Sequence, residues 1–400
     1  MISEFVPVLR AMGCESEVVS LDNPDLVDRD AMEAHIHALG PGGGGYRFSR
    51  NLVPWLRHNF AHYDASIVHG IWTYHSAGAF VAHRTVSTPY FLFPHGMLDP
   101  WFRRTYPFKH LKKWIYWNLI ERRVVRSARA VIFTCEQERR LARNSFPNYA
   151  CRERVNTLGT TAMSEEACGK GNAFLEEFPF LRQRRFVLFL SRLHPKKGVD
   201  LLIRAYARVR DLANFGASGF SMVIAGPPVS EAYLQQMKDL AAELNIPIVG
   251  QERIGSKSSN HSETGDAIAF APMLTGNVKT GAYRACEALV LPSHQENFGM
   301  VVAEALSHGR PVLISDQVNI WREVAAAEAG IVEPDTIEGT ERLLVRWFRM
   351  QGEQREAMGR QALACFHQKF EIKKAAGMLK DTISQLLSPD DVNTLAAESR

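Results

Sequence analysis

The sequence predicts an α/β protein of two doubly wound domains, each built on a parallel sheet. Three observations lead there. Four hundred residues exceed what one hydrophobic core supports, since single cores stop growing near about 250–300 residues. Short apolar runs recur along the chain, each followed by a longer amphipathic stretch, the pattern of strands buried between helix layers. The runs fall into two sets separated by a polar segment.

The first set is SEVVSL, EAHIHAL, ASIVHG, YFLFPHG and AVIFTC; the second is FVLFLS, SMVIAG, DAIAFAP, EALVLPS and PVLISD. Residues 160–184 between them are polar and Gly-containing, with no strand-like run until Phe186. This places a first domain at 1–163, a linker at 164–185, a second domain at 186–370, and a C-terminal helix returning towards the first domain, with a tail, at 371–400. The chain opens with a helix-like segment, Ile2 to Met12, ahead of SEVVSL. The strand and turn that normally open a βαβ lobe therefore look absent.

A composition 46% hydrophobic and 22% charged, with 28 Gly and 19 Pro, excludes low-complexity and collagenous chains and suits an ordinary globular enzyme. No apolar run reaches the about 18 residues of a spanning helix, and the first residues carry Glu4 without a secretory layout, so a cytoplasmic protein is expected. Cys14, Cys135, Cys151, Cys168, Cys286 and Cys365 form no CxxC pair; neither a zinc site nor a disulfide framework is indicated. The net charge is +4, yet residues 101–143 carry 12 basic and 3 acidic side chains and should face something anionic.

In open parallel sheets ligands bind beyond the carboxyl ends of the strands. The loop after FVLFLS holds Arg192, Lys196, Lys197 and Gly198 before a helix near Val199. Fixed cations beside a helix start suit a diphosphate; a solvated basic loop is the plain alternative. The loop after EALVLPS supplies Glu296, and the helix beginning near Gly299 carries Glu304, eight positions on. That spacing separates the carboxylates too far for a rigid acid/base pair. It suits a nucleotide sugar, with Glu296 accepting from sugar hydroxyls, Glu304 from ribose hydroxyls, and the amides of Phe298, Gly299 and Met300 meeting phosphate. Gly299 permits the close backbone approach. Taken singly, Glu296 reads as a helix-start charge and Glu304 as a surface residue.

Two HG turns follow strands in the first domain, IVHGIW at 67–72 and FPHGMLDPW at 93–101. They mark His95, and less strongly His69, for a ligand-facing role, against the plain reading of satisfied structural histidines. GPGGGGY at 40–46 lacks phosphate-loop spacing and reads as loop flexibility. In residues 101–130, Phe108, Leu111, Ile115 and Leu119 recur at helical spacing among Lys109, Lys112 and Lys113, with Trp114, Tyr116 and Trp117 beside them. Such a face can lie on an anionic leaflet or turn its stripe into the core. No nucleic-acid module is recognisable.

SRLHPKKG, VIAGP, LPSHQENFGMVVAEALSHGRPVLIS with its E-x7-E pair, and AGIVEPDT cover nearly the whole second domain and resemble the retaining glycosyltransferases of family 4. FPHGMLDPW, the basic stretch after it and TCEQERRLA give a looser likeness in the first domain, towards bacterial exopolysaccharide and lipopolysaccharide assembly members. The resemblance implies the GT-B fold, two Rossmann-like domains facing across a cleft. It further implies that Arg192 and Lys197, with Gly226 nearby, hold a donor diphosphate, Glu304 the ribose, and Glu296 with the Asn297 to Met300 amides the transferred sugar. His95 would stand at the reaction centre and the base near Met273 and Leu274. The donor would be a nucleotide-diphosphate sugar and the acceptor a saccharide or lipid-linked saccharide, with no metal, other cofactor or nucleic acid. Lys109, Lys112, Lys113, Trp114 and Trp117 would form a membrane or acceptor face, making the protein peripheral on the inner leaflet. A nucleotide-sugar 2-epimerase and a catalytically silent glycosyltransferase-like subunit are the alternatives.

Overall fold

The computed structural model describes residues 2–27, 34–101, 103, 107–162, 172–210, 220–249 and 266–388; Cys168 and the side chain of Lys109 lie outside them. The chain divides into two compact units, residues 1–160 with 371–400, and residues 161–370.

The first unit holds β1 (Val18–Ser20), β2 (Ile36–Ala38), β3 (Ser66–His69), β4 (Tyr90–Phe93), β5 (Ala130–Phe133) and β6 (Glu153–Val155). All pairings are parallel, β1 with β2, and β3-β4-β5-β6 in that order. The side-chain alternation of a strand explains why YFLF and AVIF are apolar throughout. Tyr90, Leu92, Val131 and Phe133 enter one core with Trp117 and Val124. Phe91, Phe93, Ala130 and Ile132 enter another, beneath the helices Ile2–Ala11 and Ile372–Leu387. Those two helices are also tied by Lys380 Nζ, which donates to the Met12 carbonyl at 2.6 Å. The expected opening helix is present, and β1 and β3 belong to separate sheets. A cavity of about 820 Å³, lined by Val19 of β1, Ile67 of β3, Phe5 and Asn156 among others, lies between them.

The second unit is one parallel sheet, ordered β13-β12-β11-β7-β8-β10-β9. Its strands are β7 (Arg185–Leu190), β8 (Phe220–Ala225), β9 (Ile248–Val249), β10 (Ile268–Ala271), β11 (Ala288–Leu291), β12 (Val312–Ser315) and β13 (Gly330–Glu333). β7, β8, β11 and β12 are buried almost throughout, as strands covered by helices on both faces must be. The strand order reverses direction at β7, so the loops after β7 and β11 leave from a switch point of the sheet.

All ten expected runs form strands; β6, β9 and β13 were not among them. The linker assignment needs a correction. Residues 173–177 form a helix whose N-cap, Asn172, accepts from the amides of Phe174 and Leu175. Asn172 also donates to the Gly281 carbonyl at 3.0 Å, so this segment belongs to the second unit. The glycine-rich loop at 40–46 is closed, since Gly43 and Phe48 exchange backbone hydrogen bonds of 2.8 and 3.0 Å. No helix among the described residues is long and apolar enough to cross a membrane.

Candidate functional site

In the second unit the loops after β7, β8 and β11 interlock through glycine. Pro195–Lys197 is a single tight turn after β7, capped by His194, whose Nδ1 accepts from the Lys196 amide at 3.0 Å. Gly198 closes it with φ +67, and a Cβ there would lie 2.2 Å from the Pro292 carbonyl oxygen of the β11 loop. Gly226, after β8, has φ +141, and a Cβ there would lie 1.9 Å from the Ser191 carbonyl oxygen. Only glycine permits these approaches. The His294 amide then donates to the Lys196 carbonyl at 2.8 Å, joining the β11 loop to the basic turn.

Within this frame Lys197 Nζ donates to Glu296 Oε2. Their side chains are only 14% and 20% exposed. The Glu296 backbone is fixed on both sides, its amide on Gln317 O and its carbonyl receiving the Asn319 amide, each at 3.0 Å. Burial first, then the nearby charges of Lys196, Arg192 and Lys197, holds His194 below the usual imidazole value. All three cations thus lie near the His194 ring, and Arg192 is exposed. Gly299, with φ +75, starts the helix Met300–Ser307, whose first amides lack intrahelical partners and favour an anion. Asn297 and Met300 are partly exposed at this start, whereas the Phe298 side chain is buried, edge-on to Phe370 with ring centroids 5.7 Å apart. Phe298 can therefore offer a ligand its backbone alone.

Glu304, one turn further, is engaged at both oxygens. Lys279 Nζ donates to Oε1 and the Tyr283 hydroxyl to Oε2, each at 2.7 Å. Sequence reasoning missed both donors. The signal was present, since 279 and 283 are one helical turn apart in Gly276–Ala285 and face the same way. His294 Nδ1 meets Asp335 Oδ2 at 2.8 Å, and this contact raises the His294 pKa. Of the two residues expected near the base, Met273 is 64% exposed but Leu274 is buried. Leu274 fills the core instead, so only Met273 presents a side chain.

In the first unit His69 and His95 stand at the carboxyl ends of β3 and β4. His69 Nδ1 lies 3.0 Å from His95 Nε2. Burial pushes the His69 pKa down to about 3 and that of His95 to about 4, so both rings are neutral at pH 7. His95 has φ +49, unusual for a residue with a Cβ. Its turn is held by Glu138, which accepts from the Gly96 amide and, at 2.7 Å, from the amide and hydroxyl of Thr134.

The basic stretch is a helix, Pro107–Tyr116, followed by one wide turn, Trp117–Glu121. Its apolar stripe faces outward, with Phe108 88%, Leu111 58%, Ile115 48% and Leu119 60% exposed, and Trp114 44%. Lys112 is exposed and Lys113 Nζ lies 5.0 Å from the Trp72 ring centroid. Trp117 departs from the expected membrane face. It is fully buried, with its indole N–H on the Pro147 carbonyl at 3.1 Å, because two positions on from Ile115 it stands on the side of the helix opposite the exposed stripe. Among the described residues no group of three or more His, Cys, Asp or Glu side chains could hold a metal ion.

Comparison with known proteins agrees with this architecture. The family described as "Glycosyl transferase 4-like domain" matches residues 2–158, and "Glycosyl transferases group 1" matches residues 184–347. The chain belongs to the family 4 glycosyltransferases and has the GT-B fold. A D-inositol 3-phosphate glycosyltransferase from Acidothermus cellulolyticus is 30% identical over 148 residues, which cover 36% of this chain and 29% of the relative's length. Sucrose-phosphate synthase from Thermosynechococcus elongatus superposes with a TM-score of 0.70 at 17% identity, covering 96% of this chain and 91% of that one. HepE from Anabaena, solved in complex with UDP-glucose, superposes with a TM-score of 0.70 at 14% identity over 96% of both chains.

Proposed function

We propose that the protein is a retaining glycosyltransferase that moves a sugar from a nucleotide-diphosphate donor to a hydroxyl of a saccharide or lipid-linked saccharide. The observation that carries this reading is the Lys197–Glu296 pair at the head of the helix Met300–Ser307. A cation, a carboxylate and unpartnered helix amides at one point match the two chemistries of a nucleotide sugar, its phosphate charge and its hydroxyls. In this reading the diphosphate replaces Glu296 as the partner of Lys197. Arg192 adds the second positive charge, and Glu296 is released to accept from sugar hydroxyls. Glu304, oriented by Lys279 and Tyr283, takes the ribose hydroxyls. His95, in the first unit, is taken as a ligand-facing group at the carboxyl end of β4.

Catalysis follows from holding the donor and neutralising the departing diphosphate while the sugar acquires oxocarbenium character. Arg192, Lys197 and the helix amides supply that charge, so the reaction runs without a metal. Departure and attack on the same face of the sugar retain its configuration. The outward apolar stripe, flanked by Lys112 and Arg103, fits an anionic leaflet and with it a lipid-linked acceptor in bacterial surface polysaccharide assembly. A thermal-shift screen against UDP, GDP, ADP and their sugars tests the reading. A rise with one nucleoside diphosphate and its sugar is expected, and no shift with any would defeat it.

A further inference from the structure

We infer that His69 is the positioning residue for His95, holding its ring in one neutral tautomer and so setting which state of the His95 Nδ1 meets the ligand. The inference rests on the reading of His95 as a ligand-facing group. Its origin is the register of the two strands. His69 pairs with Phe93, and the Gly70 amide donates to the Phe93 carbonyl at 2.7 Å. The ring at the end of β3 therefore reaches the residue two steps beyond, His95.

The backbone at His95 is fixed by its left-handed conformation and by Glu138 on Gly96. The ring is fixed separately. Phe93, His69 and His95 lie nearly parallel, with interplanar angles of 12°, 15° and 16° and centroids 5.2 to 5.6 Å apart. Stacking alone leaves an imidazole free to exchange its two nitrogens; the 3.0 Å contact between His69 Nδ1 and His95 Nε2 ties the tautomer of His95 to that of His69. Two nitrogens at that distance share one proton. If His69 donates it, His95 carries its own proton on Nδ1 and offers a donor. If His95 donates it, Nδ1 is a bare acceptor. Either way His69 decides, and burial keeps both rings neutral. The neighbouring His75 is occupied elsewhere, its Nε2 3.1 Å from the Gly70 carbonyl oxygen and its Nδ1 2.7 Å from the Thr73 hydroxyl.

The test uses the full chain with His69→Phe, which keeps the stacking and loses the hydrogen bond, and His69→Asn, whose amide reaches the place of Nδ1. Histidine-ring nitrogen NMR reads the tautomer, and glycosyl transfer from the donor found by the nucleotide screen reads the function. The wild type is expected to show His95 as a single neutral tautomer. In H69F that signal averages and kcat falls about tenfold or more, with the donor KM within about twofold, as for a reacting group left in place but misaligned; H69N restores most of both. Wild-type kcat in folded H69F, or an averaging His95 in the wild type, overturns the inference. A locked ring in a protein that binds no nucleotide sugar upholds the pair and defeats the transferase reading instead.

Discussion

Lys197 and Glu296 neutralise one another across two loops that the chain brings together from 99 positions apart. The largely buried ammonium would be costly alone, and the carboxylate offsets that cost; in the proposed reading a diphosphate takes the carboxylate's place. Arg192→Ala and Lys197→Ala are each expected to lower turnover by about 100-fold or more, the scale of losing a charge-stabilising group at a transition state. Steady-state kinetics with the identified donor check this, and near wild-type turnover in both would remove the donor assignment.

Tyr283→Phe and Lys279→Ala each remove one hydrogen bond from Glu304. Orientation of a binding carboxylate acts on the ground state and transition state alike. The donor KM is therefore expected to rise about 2- to 10-fold, for a net bond of about 0.5–1.5 kcal/mol, with kcat nearly unchanged. A fall in kcat alone would show that Glu304 does not simply bind.

Much of this was legible in the sequence, for physical reasons. Runs such as YFLF and FVLFL read as buried parallel strands because both of their faces are covered. Arg192, Lys197 and Glu296 could be singled out because they follow strands at the carboxyl end of the sheet, and Glu304 because it sits on the helix that follows the Glu296 loop. β6 (ERV) escaped notice because two of its three residues are charged, and β9 because it has only two residues. Trp117 was put on the membrane face by residue type, although its position two residues from Ile115 places it on the opposite side of the helix; Leu274 is buried while Met273 is exposed. Lys279 and Tyr283 share one helix face, but what that face meets shows only in the folded chain, and Glu138 carries no signature at all until its turn forms.

Gly226→Ala tests the interlocked loops. A Cβ would sit 1.9 Å from the Ser191 carbonyl oxygen at φ +141, so backbone must move. A loss of about 2–4 kcal/mol is expected, read as a lowered Tm in calorimetry. An unchanged Tm would show that the β7 and β8 loops do not hold each other.

Glu121 gives the fold a pH dependence. Burial pushes its pKa up to about 7, although Ser76 and the Trp72 amide donate to it. The folded protein holds this proton between about pH 4.5 and 7, where the unfolded chain has lost it. This carboxyl's contribution to stability is thus complete below about pH 4.5 and declines as pH rises through 7. Glu121→Gln keeps the two hydrogen bonds without the charge and is expected to raise the Tm at pH 8 while leaving it nearly unchanged at pH 4.5. An equal effect at both pH values would contradict the assignment.

The exposed stripe predicts membrane contact. The wild type is expected to sediment with anionic liposomes at low salt and to be released as salt rises. Phe108→Asp with Leu111→Asp, both at exposed positions, should abolish sedimentation without lowering the Tm. Wild-type protein that stays in the supernatant at low salt would remove the leaflet from the account.

The central claim is that a nucleoside diphosphate binds at Lys197 and the start of the helix at Met300. Isothermal titration of the wild type and Lys197→Ala with UDP and GDP, in the presence of a chelator, measures it directly. The account predicts saturable one-to-one binding of one of them to the wild type and a loss of about tenfold or more in K197A, as for one charge-assisted contact. Equal affinity in both proteins, or binding only when a divalent metal is restored, would contradict it.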